Sequence, residues 1–190
     1  MKHTGMVTPT EALKEDHRVI ERLCRVLGHA AQRLDQGQAV PPSVFREALD
    51  FIRNFADRCH HGKEEDCLFP ALEQHGIPRH GGPVGVMLGE HEEGRAFVRG
   101  MAEALDKYEK GDKSAAPALA RNARGYASLL TNHIPKEDTI LYPMGEGVLS
   151  PQAKAQLLER FEAVERERLG PGKHQEYLAL VGKLEKELGL

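Results

Sequence analysis

Apolar residues recur along most of the chain with the alternating three- and four-residue spacing that is typical of amphipathic helices. The first such stretch begins at Thr8, where Pro9 follows directly and Glu11 lies three positions on, a combination that predicts a capped helix start. Its apolar line runs through Leu13, His17, Ile20, Cys24, Leu27, Ala31 and Leu34. The histidine stands inside this line, so we expect it to be buried.

Clusters of glycine and proline separate this stretch from further helical ones. We predict long helices at roughly 42–75, 84–108 and 114–144 and two shorter helices after Ser150, and the strand signal is negligible. Pro70 and Pro143 lie near the ends of two long helices, where a kink or stop is expected. We therefore predict an all-α fold. An antiparallel up-down-up-down four-helix bundle would occupy residues 8–146, and a C-terminal extension of two helices would occupy residues 150–190.

Composition and charge narrow the functional classes. The chain has 190 residues, with 26 basic and 29 acidic side chains and a net charge of −3, which argues against a partner such as nucleic acid or an anionic membrane. No apolar run approaches the roughly 20 residues of a membrane span, and the N-terminus MKHTGMVTPTE has no hydrophobic stretch typical of a secretory signal. Three cysteines without a CxxC pair do not indicate a disulfide framework. We expect a cytoplasmic protein that is a monomer or a homodimer.

An internal repeat accounts for many of the ten histidines. The segment HHGKEEDCLFP at 60–70 matches HIPKEDTILYP at 133–143. Upstream of these segments, Asp16-His17 matches Glu90-His91 at nearly the same offset. Each half of the repeat therefore contributes one histidine and, further along, a His-x3-Glu motif. Two helix hairpins related by a pseudo-twofold axis would produce this pattern.

The repeated residues have the chemistry of metal ligands. A histidine and a glutamate four residues apart project from the same side of a helix, and both motifs lie on apolar stripes that face the core. Buried carboxylates without partners cost several kcal/mol each, whereas a metal ion would compensate them. The predicted ligands are His17, His60, Glu64, His91, His133 and Glu137.

The donor types favour iron or manganese over zinc, since they are imidazoles and carboxylates without a thiolate. Six ligands also exceed the four of a tetrahedral zinc site. If both glutamates bridge, each of two metals receives two imidazoles and two carboxylate oxygens, and a bridging oxo or hydroxo group adds a fifth ligand. One position on each metal would then remain open to a small molecule.

The doubled pattern DH…HxxxEE…EH…HxxxED resembles the hemerythrin-like (HHE cation-binding) domains, and the resemblance covers about residues 10–146. It implies a cofactor of two non-haem iron ions held by the same six residues. Oxygen-carrying hemerythrins have a second histidine four residues after the one in the third helix, where this chain has Arg95. In this respect the chain is closer to the di-iron proteins of repair and stress response, and the two metal positions are expected to be nearly equivalent.

Several neighbouring residues leave alternatives open. His61 follows His60 but corresponds to an isoleucine in the second half of the repeat, so His60 is preferred as the ligand and His61 is kept as a spare. Glu65 and Asp138 either lie on a solvated face or accept hydrogen bonds from imidazole N–H groups. Arg95 is either a basic residue with a buried stem or a charge beside the open coordination position, where it would stabilise bound peroxide or superoxide.

The sequence leaves three functions open. The first is binding or sensing of O2 or NO, the second is an enzyme acting on peroxide or NO, and the third is iron storage, donation or iron-centre repair. Because no DNA-binding motif or transmitter domain is visible, we favour a stand-alone protein that binds or reacts with O2, NO or peroxide in redox or nitrosative stress. No catalytic residue beyond the metal ligands is assigned.

Overall fold

The fold was obtained as a computed structural model that describes residues 8–190, and these residues form helices without any strand. This confirms the all-α prediction; the predicted signal-free N-terminus lies largely in residues 1–7, outside the described range. The helices are α1 (Pro9–Asp35), α2 (Pro42–Phe51), α3 (Phe69–Gln74), α4 (Pro83–Glu109), α5 (Ala116–Lys136), α6 (Tyr142–Val148), α7 (Pro151–Arg168) and α8 (Lys173–Leu188). The predicted cap of α1 is present, because the Thr8 hydroxyl accepts from the Glu11 amide and the Glu11 carboxylate accepts from the Thr8 amide.

Two long segments change helix type on the way to their prolines. Helix α2 continues into the π-helical stretches Ile52–His61 and Glu64–Leu68 before α3, and α5 continues into the π-helical stretch Glu137–Leu141 before α6. We predicted a kink or stop at Pro70 and Pro143. The chain stays helical through both prolines, so neither ends the helical segment, and the helix type changes ahead of each one. A wider π-turn ahead of each proline accommodates a residue that has no N–H to donate.

Two apolar clusters lie on either side of a buried polar layer. The larger cluster draws on α1, α2, α4, α5 and α8, and includes Leu27, Phe45, Met101, Leu119 and Val181. The smaller cluster joins the start of α1 and α4 to α3, α6 and α7, and includes Leu13, Phe69, Met87, Tyr142 and Phe161. The predicted ligands fall between these clusters along each long segment, so packed side chains shield them at both ends.

Close helix packing positions the segments that carry these ligands. Helix α5 packs against α1 and α4, while α2 packs against α4. Where α4 and α5 meet, a Cβ atom on Gly125 would lie 2.3 Å from Cε1 of Phe97, so a larger residue here would have to displace the Phe97 ring. Helix α8 packs against α1 and α2, and α7 packs against α1 and the two π-helical stretches that follow α2. None of the helices among residues 8–190 has the length and apolar character needed to cross a membrane.

Candidate metal centre

The six predicted ligands converge in the interior although they come from four separate segments of the chain. The four histidines are each at most 2% exposed, and the two glutamates are fully buried. Four residues, His17, His60, Glu64 and Glu137, bring one nitrogen or oxygen each to within 4.8 Å of one another. A second group with the same spacing consists of His61, His91 and His133.

The two groups adjoin one another at the glutamates. In the second group, Nε2 of His91 lies 3.5 Å from Oε2 of Glu64 and 3.9 Å from Oε1 of Glu137. In the first group, Nε2 of His17 lies 3.2 Å from Oε2 of Glu137, and Nε2 of His60 lies 3.6 Å from Oε2 of Glu64. Both carboxylates therefore face imidazoles of both groups.

His61 is the residue whose place the repeat did not predict. It is 5% exposed, and its ring stacks on that of His91 with centroids 3.8 Å apart and planes 12° apart. Because it matches Ile134 in the second half, sequence reasoning kept it only as a spare. His60 and His61 end a ten-residue π-helix, and the wider turn of such a helix presents consecutive residues to the interior in a way that α-helical periodicity does not predict.

A carboxylate lies against the Nδ1 atom of every histidine in the two groups. These pairs are His17–Asp138 at 2.7 Å, His60–Asp16 at 3.4 Å, His61–Asp57 at 3.2 Å, His91–Glu65 at 2.7 Å and His133–Glu90 at 2.8 Å. A carboxylate only accepts, so each pair assigns the ring proton to Nδ1 and turns Nε2 towards the interior. Glu65 and Asp138 are thus imidazole partners, one of the two alternatives left open by the sequence.

Basic side chains stand behind these carboxylates. Lys63 lies 3.1 Å from Asp16, and Lys136 pairs with Glu90. Arg18 pairs with Asp138, while Arg95 lies 2.8 Å from Glu65 and 2.7 Å from Asp57. Each cation therefore helps to hold a carboxylate in place, and that carboxylate in turn orients an imidazole.

Arg95 is occupied by these contacts. Its guanidinium also lies 2.6 Å from Glu92, and its side chain is 26% exposed. The structure thus places Arg95 among three carboxylates, and two of them, Asp57 and Glu65, hold His61 and His91. Its contacts fit a role in positioning these imidazoles.

The two buried glutamates face imidazole nitrogens with most of their oxygens unpaired. Within residues 8–190, Oε2 of Glu64 and both carboxylate oxygens of Glu137 are buried without a hydrogen-bond partner of acceptable geometry. Burial and the nearby charge of Glu137 raise the pKa of Glu64 well above its usual value. Burial also acts to raise the pKa of Glu137, but the neighbouring His133 and His17 lower it. Together, these carboxylate oxygens and the imidazole nitrogens that they face could hold a metal ion.

Tyr142 completes the surroundings of Glu64. Its hydroxyl donates to Oε1 of Glu64 at 2.6 Å, and its ring stacks on His17 with centroids 5.5 Å apart. The matching residue in the first half is Phe69, which stacks on His91 with centroids 5.9 Å apart and has no hydroxyl to donate. Sequence reasoning treated this pair only as a near match within the repeat. The difference between phenylalanine and tyrosine at the matching positions was the sequence clue to this contact of Tyr142 with Glu64.

The cysteines do not take part in either group. Cys24, Cys59 and Cys67 are free thiols and all are buried. Burial raises the pKa of Cys24 to about 12 and that of Cys59 to about 11, so these thiols are protonated at neutral pH. The donor set thus consists of imidazole nitrogens and carboxylate oxygens.

Comparison with known families bears directly on this arrangement. The hemerythrin HHE cation-binding domain matches residues 8–145, a span that contains both His-x3-Glu motifs and both upstream histidines. The chain belongs to this family. Membership in the HHE family agrees with the buried cluster of histidines and glutamates, and both support metal binding.

The similar curated proteins are uncharacterised relatives. The chain is 28% identical over 184 residues to the uncharacterized proteins Rv1995 and MT2051 of Mycobacterium tuberculosis and Mb2018 of Mycobacterium bovis. Each alignment covers 97% of this chain and 71% of the relative. No solved structure matches the chain. The alignments therefore extend past the HHE domain into the C-terminal helices without adding a known activity.

Proposed function

We propose that the protein binds two iron ions in the polar layer and that this di-iron centre binds or reacts with O2, NO or peroxide. The observation that carries the proposal is the convergence of five imidazoles with two buried carboxylates, three of whose four oxygens have no hydrogen-bond partner within residues 8–190. The proposed ligands are the six predicted from sequence, together with His61. Manganese and zinc are the less favoured ions.

The division into two groups supports two metal positions. His61, His91 and His133 would hold one ion, and His17 and His60 would hold the other, with Glu64 and Glu137 shared between them. One position would thus have three imidazoles and the other two. This assignment departs from the nearly equivalent positions expected from the repeat, because His61 has no counterpart in the second half.

We also propose that the four long segments form the antiparallel up-down-up-down bundle predicted from the sequence. Ion pairs at opposite ends of the helices support it. Asp35 at the end of α1 pairs with Arg124 early in α5, whereas His17 near the start of α1 meets Asp138 after α5. Between the second segment and α4, Arg46 pairs with Glu109.

A pair of iron ions would supply electron transfer and an open coordination position for the small molecule. The chain's own residues would hold and orient the imidazoles through the Nδ1 carboxylates. The two apolar clusters would limit the access of water to the polar layer. The physiological setting that we favour for this chemistry is the stress response to oxidants or NO.

The test is the iron content of the full chain after anaerobic loading with Fe(II), followed by optical and Mössbauer spectra before and after addition of O2, peroxide or NO. We expect two irons per chain and a spectral change with at least one of the three molecules. A stable complex would indicate binding, and repeated consumption of the added molecule would indicate an enzyme. One zinc, or no bound metal, would overturn the proposal, while iron that passes only to acceptor proteins would favour storage or donation.

A further inference from the structure

The two C-terminal helices lie beyond the part of the chain that matches the HHE domain. One acidic residue of α7, Glu165, reaches back towards the segment that carries His60, His61 and Glu64. Its Oε2 atom lies 3.0 Å from Nζ of Lys63, the residue immediately before Glu64. The extension therefore makes a polar contact with the segment that supplies three of the proposed ligands.

Lys63 connects Glu165 to the polar layer. Its side chain is only 5% exposed, and its ammonium group donates to Oδ2 of Asp16 at 3.1 Å as well as to Glu165. Asp16 is 2% exposed, and the same oxygen lies 3.4 Å from Nδ1 of His60. A continuous path of charged contacts thus runs from Glu165 through Lys63 and Asp16 to the His60 ring.

The corresponding path in the second half of the repeat ends at solvent. Lys136, which matches Lys63, pairs with Glu90, and Glu90 lies 2.8 Å from Nδ1 of His133. Lys136 is 37% exposed, so water can satisfy its remaining N–H groups. Lys63 is nearly cut off from water and needs protein acceptors, and Glu165 provides the second one. Of the two matching lysines, Lys63 alone is paired with a residue of the C-terminal helices.

Glu165 is itself held at a defined place. On α7, Phe161 and Leu157 are buried in the smaller apolar cluster, and Arg168 donates to Asp66 at 2.6 Å. From α8, Nδ1 of His174 lies 3.5 Å from Oε1 of Glu165. Both helices of the extension therefore fix the carboxylate that meets Lys63.

We propose that Glu165 is a positioning residue of the metal centre, which keeps the His60 ring oriented through Lys63 and Asp16. The C-terminal extension would then form part of the metal site and would have a role beyond covering the bundle. This inference rests on the proposed function, since it assigns a further residue to the same centre. It concerns one of the two metal positions, the one that contains His60.

The experiment compares full-length Glu165→Gln, Glu165→Asp and Glu162→Gln with the wild type, all loaded with Fe(II). Glu162→Gln is the matched control, because Glu162 is exposed on the same helix. We expect Glu165→Gln to release one iron to a ferrous chelator about tenfold faster and to shift the optical and circular dichroism bands of the centre. Glu165→Asp should recover part of the change, and Glu162→Gln should match the wild type.

A second measurement does not require iron. In the metal-free protein, 15N NMR of the histidine rings should show a shift of the His60 signals in Glu165→Gln and none in Glu162→Gln. Unchanged His60 signals together with unchanged iron release in Glu165→Gln would overturn the inference. The proposed function would still stand in that case, provided that the wild type binds two irons. A wild type without iron would overturn the proposed function, and the inference about the metal centre would fail with it.

Discussion

The two halves of the repeat contain the same core arrangement but differ in what surrounds it. In both halves an upstream acidic residue, Asp16 or Glu90, holds the histidine of the His-x3-Glu motif, and a lysine pairs with that acidic residue. Only the first half adds a fifth imidazole, and only its lysine is buried under the C-terminal helices. The same repeated motif therefore has different surroundings in its two halves, and the two metal positions that we propose would differ accordingly.

The largest expected effect comes from the two residues that the halves share. Glu64→Ala and Glu137→Ala should each reduce the bound metal from two ions per chain to at most one, because each carboxylate faces imidazoles of both groups. Metal analysis of the purified variants measures this, with Glu93→Ala, an exposed position on α4, as the control. Two retained ions with an unchanged spectrum would show that these glutamates are not ligands.

Removing the extra imidazole should make the halves alike. We expect the wild type to show two distinct iron environments by Mössbauer spectroscopy, because one of the proposed positions would have three imidazoles and the other two. His61→Leu should retain both ions, but its two Mössbauer signals should become similar. One of its ions should also be released faster than in the wild type. His29→Leu, a change elsewhere on α1, is the control. Two equal environments in the wild type would argue that His61 is not a ligand.

The buried and exposed lysines should differ in stability. In the metal-free protein, Lys63→Met leaves the buried Asp16 without its ammonium partner, which we expect to lower the free energy of unfolding by about 3–5 kcal/mol. Lys136→Met removes a partly exposed pair and should cost about 0–1 kcal/mol. Denaturant unfolding of the two variants gives the comparison directly. Equal losses would mean that burial under α7 does not distinguish the two lysines.

Metal affinity should depend on pH through the two histidines of the first group. Burial acts to lower the pKa of His17, but Asp138 and Glu137 outweigh it and raise this pKa to about 9. Burial lowers the pKa of His60 to about 4. A metal must therefore displace a proton from His17 and, where Glu64 is protonated, from Glu64, but not from His60, so affinity should rise at least about tenfold per pH unit up to about pH 9. Chelator competition between pH 6 and 9 measures the slope.

The same raised pKa has a consequence for the metal-free fold. The protonated His17 ring stabilises it fully below about pH 6.5, and this contribution is lost as the pH rises through about 9. Asp138→Asn removes a main cause of the raised pKa, so it should flatten both the stability and the affinity profiles. An affinity profile that is already flat in the wild type would contradict a charged His17.

The smallest effect is expected from the arginines behind the carboxylates. Arg95→Leu leaves Asp57 and Glu65 without their cation, so it should shift the spectrum of the centre while two ions remain bound. Arg18→Leu should do less, because Arg18 is 55% exposed and Asp138 is the one imidazole-holding carboxylate among its ion-pair partners. Spectra and metal analysis of both variants test the order. Loss of metal from Arg95→Leu would assign that residue a structural role.

Much of the fold was predictable because it depends on local patterns. The capping residues placed the start of α1, and the apolar spacing placed the long helices and the two helices after Ser150. The repeat identified six residues that the structure brings together in one buried layer. Periodicity could do this because residues four apart on a helix share a face whatever the rest of the protein does.

Other features were not predictable, because no local rule reports them. His61 was left as a spare because it corresponds to an isoleucine in the second half of the repeat, and a π-helix changed which residues face inwards. The pairing of Arg95 with Asp57 and Glu65 joins residues of two different helices. The contact of Glu165 with Lys63 joins residues more than a hundred positions apart.

The amino-acid sequence by itself determined the helical class, the repeated His-x3-Glu motifs and the chemistry of the donors, since these follow from residue type and spacing along one helix. The tertiary structure alone decided which histidine nitrogens face the glutamates, which carboxylate holds each ring and which lysine is shielded from water. These depend on how helices that are distant in sequence pack. The packing shields the Lys63–Asp16 pair from water and leaves the matching Lys136–Glu90 pair partly exposed.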